Sequence, residues 1–278
     1  MLLIADSGST KTSWCLSFKT EKIFFETEGY NPYYVNSHYI FSSLKSGLPS
    51  SVLRDRIKKV LFYGAGCSPA KKHVVENALS GLFTEAAITV DSDLLGAARS
   101  LLGERHGFAA ILGTGTNTCI YNGREITENV DSLGYMLGDE GSGSYLGKKF
   151  IRDYIRGRLP EAIHDKFVKQ FHLSKTEVLD IIYSKPLPNR FCASFSNFLG
   201  DCADSEYTRS LVRNSFTEFF ENLVSCYPDF RSYSFNSCGS VGFYFKEILE
   251  QVAEDFGMKT GTIIKEPIGL LAGYHAGK

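Results

Sequence analysis

A chain of 278 residues, 43% of them hydrophobic, can bury a sizeable core and is long enough for two ordinary domains, which is the organisation expected here. Thirty basic residues against 31 acidic ones leave a net charge of −1, so the global field points away from nucleic acid and anionic membranes and toward a small neutral or acidic ligand. Seven cysteines, at 15, 67, 119, 192, 202, 226 and 238, form no C-x-x-C pair, so neither a disulfide framework nor a zinc or iron–sulfur site is suggested, and reduced, mostly buried thiols are expected.

Residues 1–5, 13–18 and 22–28 read as three strands joined by tight turns, with the stretch "DSGSTKT" (6–12) as the first turn. "GYNPYYVN" (29–36) is a loop, and 37–58 suits a helix interrupted near Gly47 to Pro49. "KKVLFYGAG" (58–66) reads as a buried strand, Pro69 to Leu82 as a helix, "AAITVDSD" (86–93) as a strand ending in carboxylates, and 94–103 as a helix. This alternation predicts an α/β layer with a largely parallel sheet beyond the opening meander.

From Gly107 the pattern restarts: strand, Gly-rich turn "LGTGTN" (112–117), strand, "NG" turn, strand. A domain boundary is expected near 104–107, giving domains of 1–105 and 106–266, with a C-terminal helix 267–278 rejoining the first. Residues 143–223 read as mostly helical, and "YSFNSCGSVG" (233–242) as a strand ending in small residues, followed by a helix from about Phe243 to Phe256. No apolar run reaches 18 residues and no basic leader is present, so a cytoplasmic protein is expected.

Backbone N–H groups in a tight turn can converge on one point, and small residues let a phosphate approach them. Two such turns about a hundred residues apart predict phosphate binding; plain hairpin turns are the alternative. Neither the G-x-x-x-x-G-K-[ST] pattern nor a strand–G-x-G-x-x-G–helix is present. Asp6, at the end of a buried strand, needs a cation or local N–H donors, and a hydrated Mg²⁺ on nucleotide phosphates would supply the cation. Lys11 reads either as a phosphate contact or as a solvated turn lysine.

Together "DSGSTKT", "LGTGTN", "LGDEGSG" (137–143) and "CGSVG" (238–242) resemble the superfamily of sugar kinases, heat-shock chaperones and actin. Within it they are similar to the BadF/BadG/BcrA/BcrD-type ATPase family, which includes N-acetylglucosamine kinase. The resemblance implies two actin-like (ribonuclease H-like) α/β domains flanking a nucleotide cleft. It implies ATP and Mg²⁺ as cofactors, with Asp6 serving the metal. Gly8, Ser9, Thr10, Lys11 and Thr12 would form one phosphate loop, and Gly113, Thr114, Gly115, Thr116 and Asn117 the other. Gly239, Ser240 and Gly242 would lie by the adenosine.

In the same resemblance Asp93 matches the catalytic base that takes a proton from a sugar hydroxyl, with Asp91 the near competitor. "DSD" before a helical run is also what a helix cap looks like. Asn31, Gly138 and Asp139 match sugar-contacting positions, and Tyr33 or Tyr34 could stack on the pyranose; as bare sequence, Asn-Pro also starts turns and "GDEGSG" also leads a loop into a helix.

The implied function is phosphorylation of an N-acetylhexosamine, N-acetylglucosamine first. Pro32 stands where the relatives carry an aromatic, and the segment before "GDEGS" lacks their Cys-Gly-Gly run, so N-acetylmuramate, glucosamine and other hexoses stay open. The other readings are an ATPase activator of a 2-hydroxyacyl-CoA dehydratase-type enzyme and a non-catalytic ATP-binding regulator. Expected partners are ATP and a sugar, with neither nucleic acid nor membrane; a homodimer is left open.

Overall fold

The computed structural model describes residues 1–18, 21–50, 52 and 56–276. The backbone clusters into two compact units: Met1–Ala109 with Cys119–Thr127 and Glu266–Lys278, and Ala110–Thr118 with Glu128–Lys265.

The first unit is built on a five-stranded sheet. Strands β1 (Leu2–Ser7), β2 (Lys11–Phe18) and β3 (Glu21–Glu28) form an antiparallel meander, while β4 (Lys59–Gly64) and β5 (Ala87–Ser92) lie parallel to β1, in the order β3-β2-β1-β4-β5. Side chains alternate between two buried faces, as strand period requires. Leu3, Ala5, Trp14, Val60 and Phe62 face α1 (Ser37–Gly47) and α2 (Lys72–Leu82), packing with Ile40, Leu44, Val75 and Leu79. On the other face Ile4, Cys15, Leu61 and Tyr63 pack under α12 (Ile268–Ala276), and Leu95 of α3 (Asp93–Leu102) joins them.

Helix α1 stops at Gly47; of the helix expected over 37–58, residues 51 and 53–55 lie outside the described set. The segment before α2 delays that helix to Lys72, because Pro69 lies in a turn closed by Lys71 N and Lys72 N on Ser68 O. Of the tail helix expected over 267–278, residues 277 and 278 lie outside the described set.

The second sheet repeats the topology of the first. Strands β6 (Gly107–Leu112), β7 (Thr116–Tyr121) and β8 (Ile126–Glu128) form the meander, β9 (Ser234–Cys238) is parallel to β6, and β10 (Lys259–Ile264) to β9, in the order β10-β9-β6-β7-β8. Read from the meander edge, both sheets run third, second, first, fourth, fifth. Strand β10 was not anticipated; Gly261 interrupts "KTGTII", and the ladder shifts register between Thr260 and Ile263.

The second unit adds a helical layer: α4 (Gly134–Leu137), α5 (Gly143–Ile155), α6 (Glu161–Phe171), α7 (Lys175–Ser184), α8 (Pro188–Gly200) and α9 (Glu206–Asn222). Its core is aromatic, with Phe150 and Phe167 in ring contact with each other and each with Phe195 and Phe198. Gly147 lets α5 seat directly on the α8 backbone at Cys192, where any Cβ would collide. The helix expected from Phe243 is two, α10 (Ser240–Tyr244) and α11 (Lys246–Asp255), and begins three residues earlier.

Candidate active site

In the first unit the connections from β1 and β4 leave in opposite directions, β1 toward β2 and β4 through α2 toward β5. Such a switch point, at the carboxyl ends of the strands, is where open α/β sheets bind ligands. The register places Asp6, Tyr63 and Asp91 in one row there, with Ser7, Gly64 and Ser92 in the next.

The first turn follows at once. Gly8 N–H donates to Lys11 O at 2.9 Å, closing it. Beneath it runs a hydrogen-bonded chain: Tyr30 N–H donates to Ser7 Oγ (3.2 Å), the Ser7 and Thr12 hydroxyls meet at 2.7 Å, and Thr12 donates to Glu28 O (2.9 Å). The Thr12 hydroxyl is thus spent on the scaffold. Gly29 seats the turn from below: its N–H donates to Thr10 O, and a Cβ there would lie 2.8 Å from backbone carbons of Ser9 and Thr10.

Asp6 is half-buried, and its pKa is lifted to about 7, first by burial, then by the charges of Asp93 and Glu266, against an opposing pull from Lys11. Burial likewise lifts Asp93 to about 6, opposed by its hydrogen bond from Leu94 N–H at 2.9 Å. Capping of α3 falls to neither aspartate: Ser92 Oγ accepts from Leu95 N–H (3.3 Å). Asp91 is turned to Arg99, 3.9 Å away, whose guanidinium also donates to Tyr63 OH at 2.6 Å. The two aspartates of "DSD" therefore have different surroundings, and Asp93 is the one facing Asp6.

Lys11 is exposed at its side chain but ion-paired. Its ammonium pairs with Glu26 (2.5 Å) and Glu266 (2.8 Å). Asn31 starts a turn, its Oδ1 accepting from Tyr33 N–H at 3.0 Å, and it packs against Gly66, whose φ of +75° and close contacts exclude a side chain. Next to Gly66, the Cys67 thiol is pushed up to about 12 by burial and then by the charge of Asp93. Tyr33 and Tyr34 are exposed, and the Lys71 ammonium sits 5.5 Å from the Tyr33 ring.

In the second unit the turn at 113–117 is clamped to the start of α5. Gly143 N–H donates to Gly113 O (2.8 Å) and Ser144 N–H to Thr114 O (3.1 Å), so helix donors that elsewhere bind anions are consumed holding the turn's carbonyls. Asp139 is buried and left-handed (φ +61°), its carboxylate accepting from Thr116 N–H at 3.2 Å and lying against Gly115. Burial raises its pKa to about 6, against the Thr116 N–H and the Lys148 charge. Gly138 N–H donates to Gly134 O, and a Cβ there would strike Ser132 O. Thr116 Oγ donates to Glu140 O (2.7 Å), and Asn117 Oδ1 accepts from Thr118 N–H and the Asn129 amide, both at 3.0 Å.

Gly239, at φ +123°, lies against Leu112 and Gly113 N, so that no side chain fits, and Gly242 packs on the Leu112 side chain. These glycines, with Ser240 opening α10, seat the end of β9 beside the second turn.

The structure thus gathers Asp6, Lys11 and Asp93 in the first unit, and sets Asn31 against Gly66. It gathers Gly113–Asn117, Gly138–Asp139 and Gly239–Gly242 in the second. Sequence reading missed Glu26, Gly29, Ser92 and Glu266. Of these, only Ser92 carries a local signal, as a serine before an apolar helical run. Among the described residues no group of three or more His, Cys, Asp or Glu is arranged to hold a metal ion by itself. A hydrated Mg²⁺ asks for less, one or two carboxylates with the remainder from water and phosphate, and the single carboxylate of Asp6 fits that demand.

No family model matches the chain, and no curated protein does. Among solved structures, a candidate N-acetylglucosamine kinase from Porphyromonas gingivalis is 40% identical, with 100% of this chain and 99% of that one covered, at a TM-score of 0.95. A glucokinase of the ROK family from Streptomyces griseus, in complex with glucose and AMPPNP, is 9% identical over 99% and 98%, at 0.56. MreB 5 of Spiroplasma citri bound to AMPPNP is 12% identical over 99% and 94%, at 0.60. The last two share the fold alone. By its likeness to the Porphyromonas protein over the whole of both chains, the chain belongs to the sugar kinases of the actin-like ATPase superfamily, ATP-dependent phosphotransferases.

Proposed function

We propose that the chain is an N-acetylhexosamine kinase of the BadF/BadG type, acting first on N-acetylglucosamine. The observation that carries this is Asp93: a half-buried carboxylate poised near pH 6, relieved of capping by Ser92 and close enough to Asp6 for its charge to be felt there. A pKa just below working pH suits a general base, which must be ionised yet still attract a proton.

In this reading Asp93 accepts the hydroxyl proton as that oxygen attacks the γ-phosphorus of ATP, and the bond to the β-phosphate oxygen breaks to release ADP. Gly8 to Thr12, through the turn's backbone and Lys11, and Gly113 to Asn117 hold the phosphates. Asp6 would hold Mg²⁺, which when bound neutralises phosphate charge. Asn31 and Asp139 with Gly138 meet sugar hydroxyls, and Gly239, Ser240 and Gly242 border the adenosine. The name of the 40% identical relative supports the acetamido sugar.

The activator reading needs thiolates for an iron–sulfur cluster. Cys119, Cys192 and Cys202 are buried, and burial holds the Cys119 and Cys192 thiols above the ordinary range, Cys119 at about 12.

The deciding experiment is ADP release with Mg·ATP across glucose, glucosamine, N-acetylglucosamine, N-acetylmannosamine and N-acetylmuramate. Stimulation by N-acetylglucosamine supports the proposal, and stimulation by another of these sugars reassigns the substrate. Bound ATP with no stimulation by any of them returns weight to the regulator reading.

A further inference from the structure

The first turn carries one cation, and that cation is already engaged. Lys11 opens β2, and Glu26 lies diagonally across the β2–β3 ladder, where Ser13 is its direct partner. Glu266 arrives from 255 residues away. Its position is fixed from behind: Pro267 O accepts from Leu271 N–H at 2.8 Å, and Ile268, Leu271 and Ala272 are buried with Ile4, Cys15, Leu61 and Tyr63. It is the first residue of the segment that returns the chain to the first unit. Its charge is also felt by Asp6.

An ammonium has three donors. Two are taken here by carboxylates, one on β3 and one on the segment leading into α12, at 2.5 and 2.8 Å, and a lysine so held loses the rotamer freedom that ordinarily weakens its grip on a ligand. We propose that Glu266 is a positioning residue of the nucleotide site: with Glu26 it holds the Lys11 ammonium over the first turn, leaving the third N–H for a phosphate oxygen. This rests on the reading of that turn as a phosphate loop.

Positioning and plain electrostatics predict opposite signs. A carboxylate near a polyanionic nucleotide repels it, so if Glu266 acted by charge alone its removal would tighten nucleotide binding. If it positions Lys11, removal weakens binding.

The test is calorimetric titration of Mg·AMPPNP into the full chain and its Glu266→Ala, Glu266→Asp and Lys11→Met variants, with KM for ATP and kcat measured alongside. Glu266→Ala is expected to weaken Mg·AMPPNP about fivefold, with the loss carried by KM rather than kcat. Glu266→Asp should recover part of it, and in the Lys11→Met background Glu266→Ala should add nothing. Unchanged or tighter binding by Glu266→Ala, or full additivity with Lys11→Met, overturns the role of Glu266 while the phosphate loop stands. Failure of the unaltered chain to bind Mg·AMPPNP overturns both.

Discussion

Ser92 caps α3, and Asp93, the next residue, is thereby left facing Asp6, with backbone N–H groups of Leu94 and of Asp93 itself on its carboxylate. Asp91, two residues earlier, is turned to Arg99 instead. Asp93→Asn is expected to lower kcat by about 10²- to 10⁴-fold while Mg·AMPPNP still binds. Asp91→Asn should stay within a few-fold of the unaltered activity, losing at most about 1 kcal/mol with its ion pair. Steady-state kinetics on both variants decide between them. Turnover surviving in Asp93→Asn and collapsing in Asp91→Asn would move the base to Asp91.

Only the ionised form of Asp93 can take a proton. With its pKa lifted to about 6 by burial, kcat/KM for the sugar should climb as pH rises through 6 and level off above it. Asp6 titrates near 7, so at limiting Mg²⁺ the concentration needed for half-maximal rate should rise as pH falls below 7. A flat profile between pH 5 and 8 at saturating Mg·ATP would remove Asp93 from the chemistry.

The same pKa values set a stability trend with a definite sign. Asp6 and Asp93 bind protons more tightly folded than unfolded, since both are raised from 3.8. The folded chain therefore carries the extra protons between about pH 4 and 7, and stability declines as pH rises through that window. Without divalent metal at pH 8, Asp6→Asn should be more stable than the unaltered chain by about 2 kcal/mol, a few degrees in Tm. At pH 4 the difference should vanish. Scanning calorimetry in EDTA reads both, and a variant less stable at pH 8 would show that Asp6 is paid for by contacts other than these.

What the sequence made legible were features confined to one stretch of chain. Strand ends in small residues located both Gly-rich turns, and the restart at Gly107 reported a duplicated unit whose sheets share one strand order. Gly29 reads locally as a loop residue; its role in seating the first turn exists only once β3 returns beside β1 and β2. Glu266 is invisible for the same reason, being brought to Lys11 by topology and not by spacing. Gly239 and Gly242 were legible as special, but their packing on Leu112 is a tertiary fact. The cap of α3 was ambiguous because Asp and Ser are nearly equal N-caps, and only the hydrogen bond to Leu95 chooses between them.

Gly29→Ala tests whether the first turn must be seated so closely. The added Cβ meets backbone of Gly8, Ser9 and Thr10, none of which can rotate away. The substitution should cost about 1–3 kcal/mol of stability and weaken Mg·AMPPNP binding more than it weakens sugar binding. Equal nucleotide affinity in a folded Gly29→Ala chain would mean that the turn does not carry the phosphates.

Asp139 has two candidate duties, and two substitutions separate them. Its carboxylate accepts the Thr116 N–H, which ties it to the second turn, and the sugar reading asks the same group to meet a hydroxyl. Asparagine keeps an acceptor oxygen and tolerates the left-handed backbone at φ +61°, so Asp139→Asn preserves the tie and removes only the charge. Alanine removes the acceptor and leaves a buried N–H unsatisfied, at a cost of about 1–3 kcal/mol, loosening the turn. Asp139→Asn should therefore raise KM for the sugar about tenfold with KM for ATP unchanged, because a hydrogen bond to a charged group is lost from the sugar alone. Asp139→Ala should raise both. If Asp139→Asn leaves sugar KM untouched while Asp139→Ala raises KM for ATP, the residue is a clamp on the phosphate turn and the sugar is bound elsewhere.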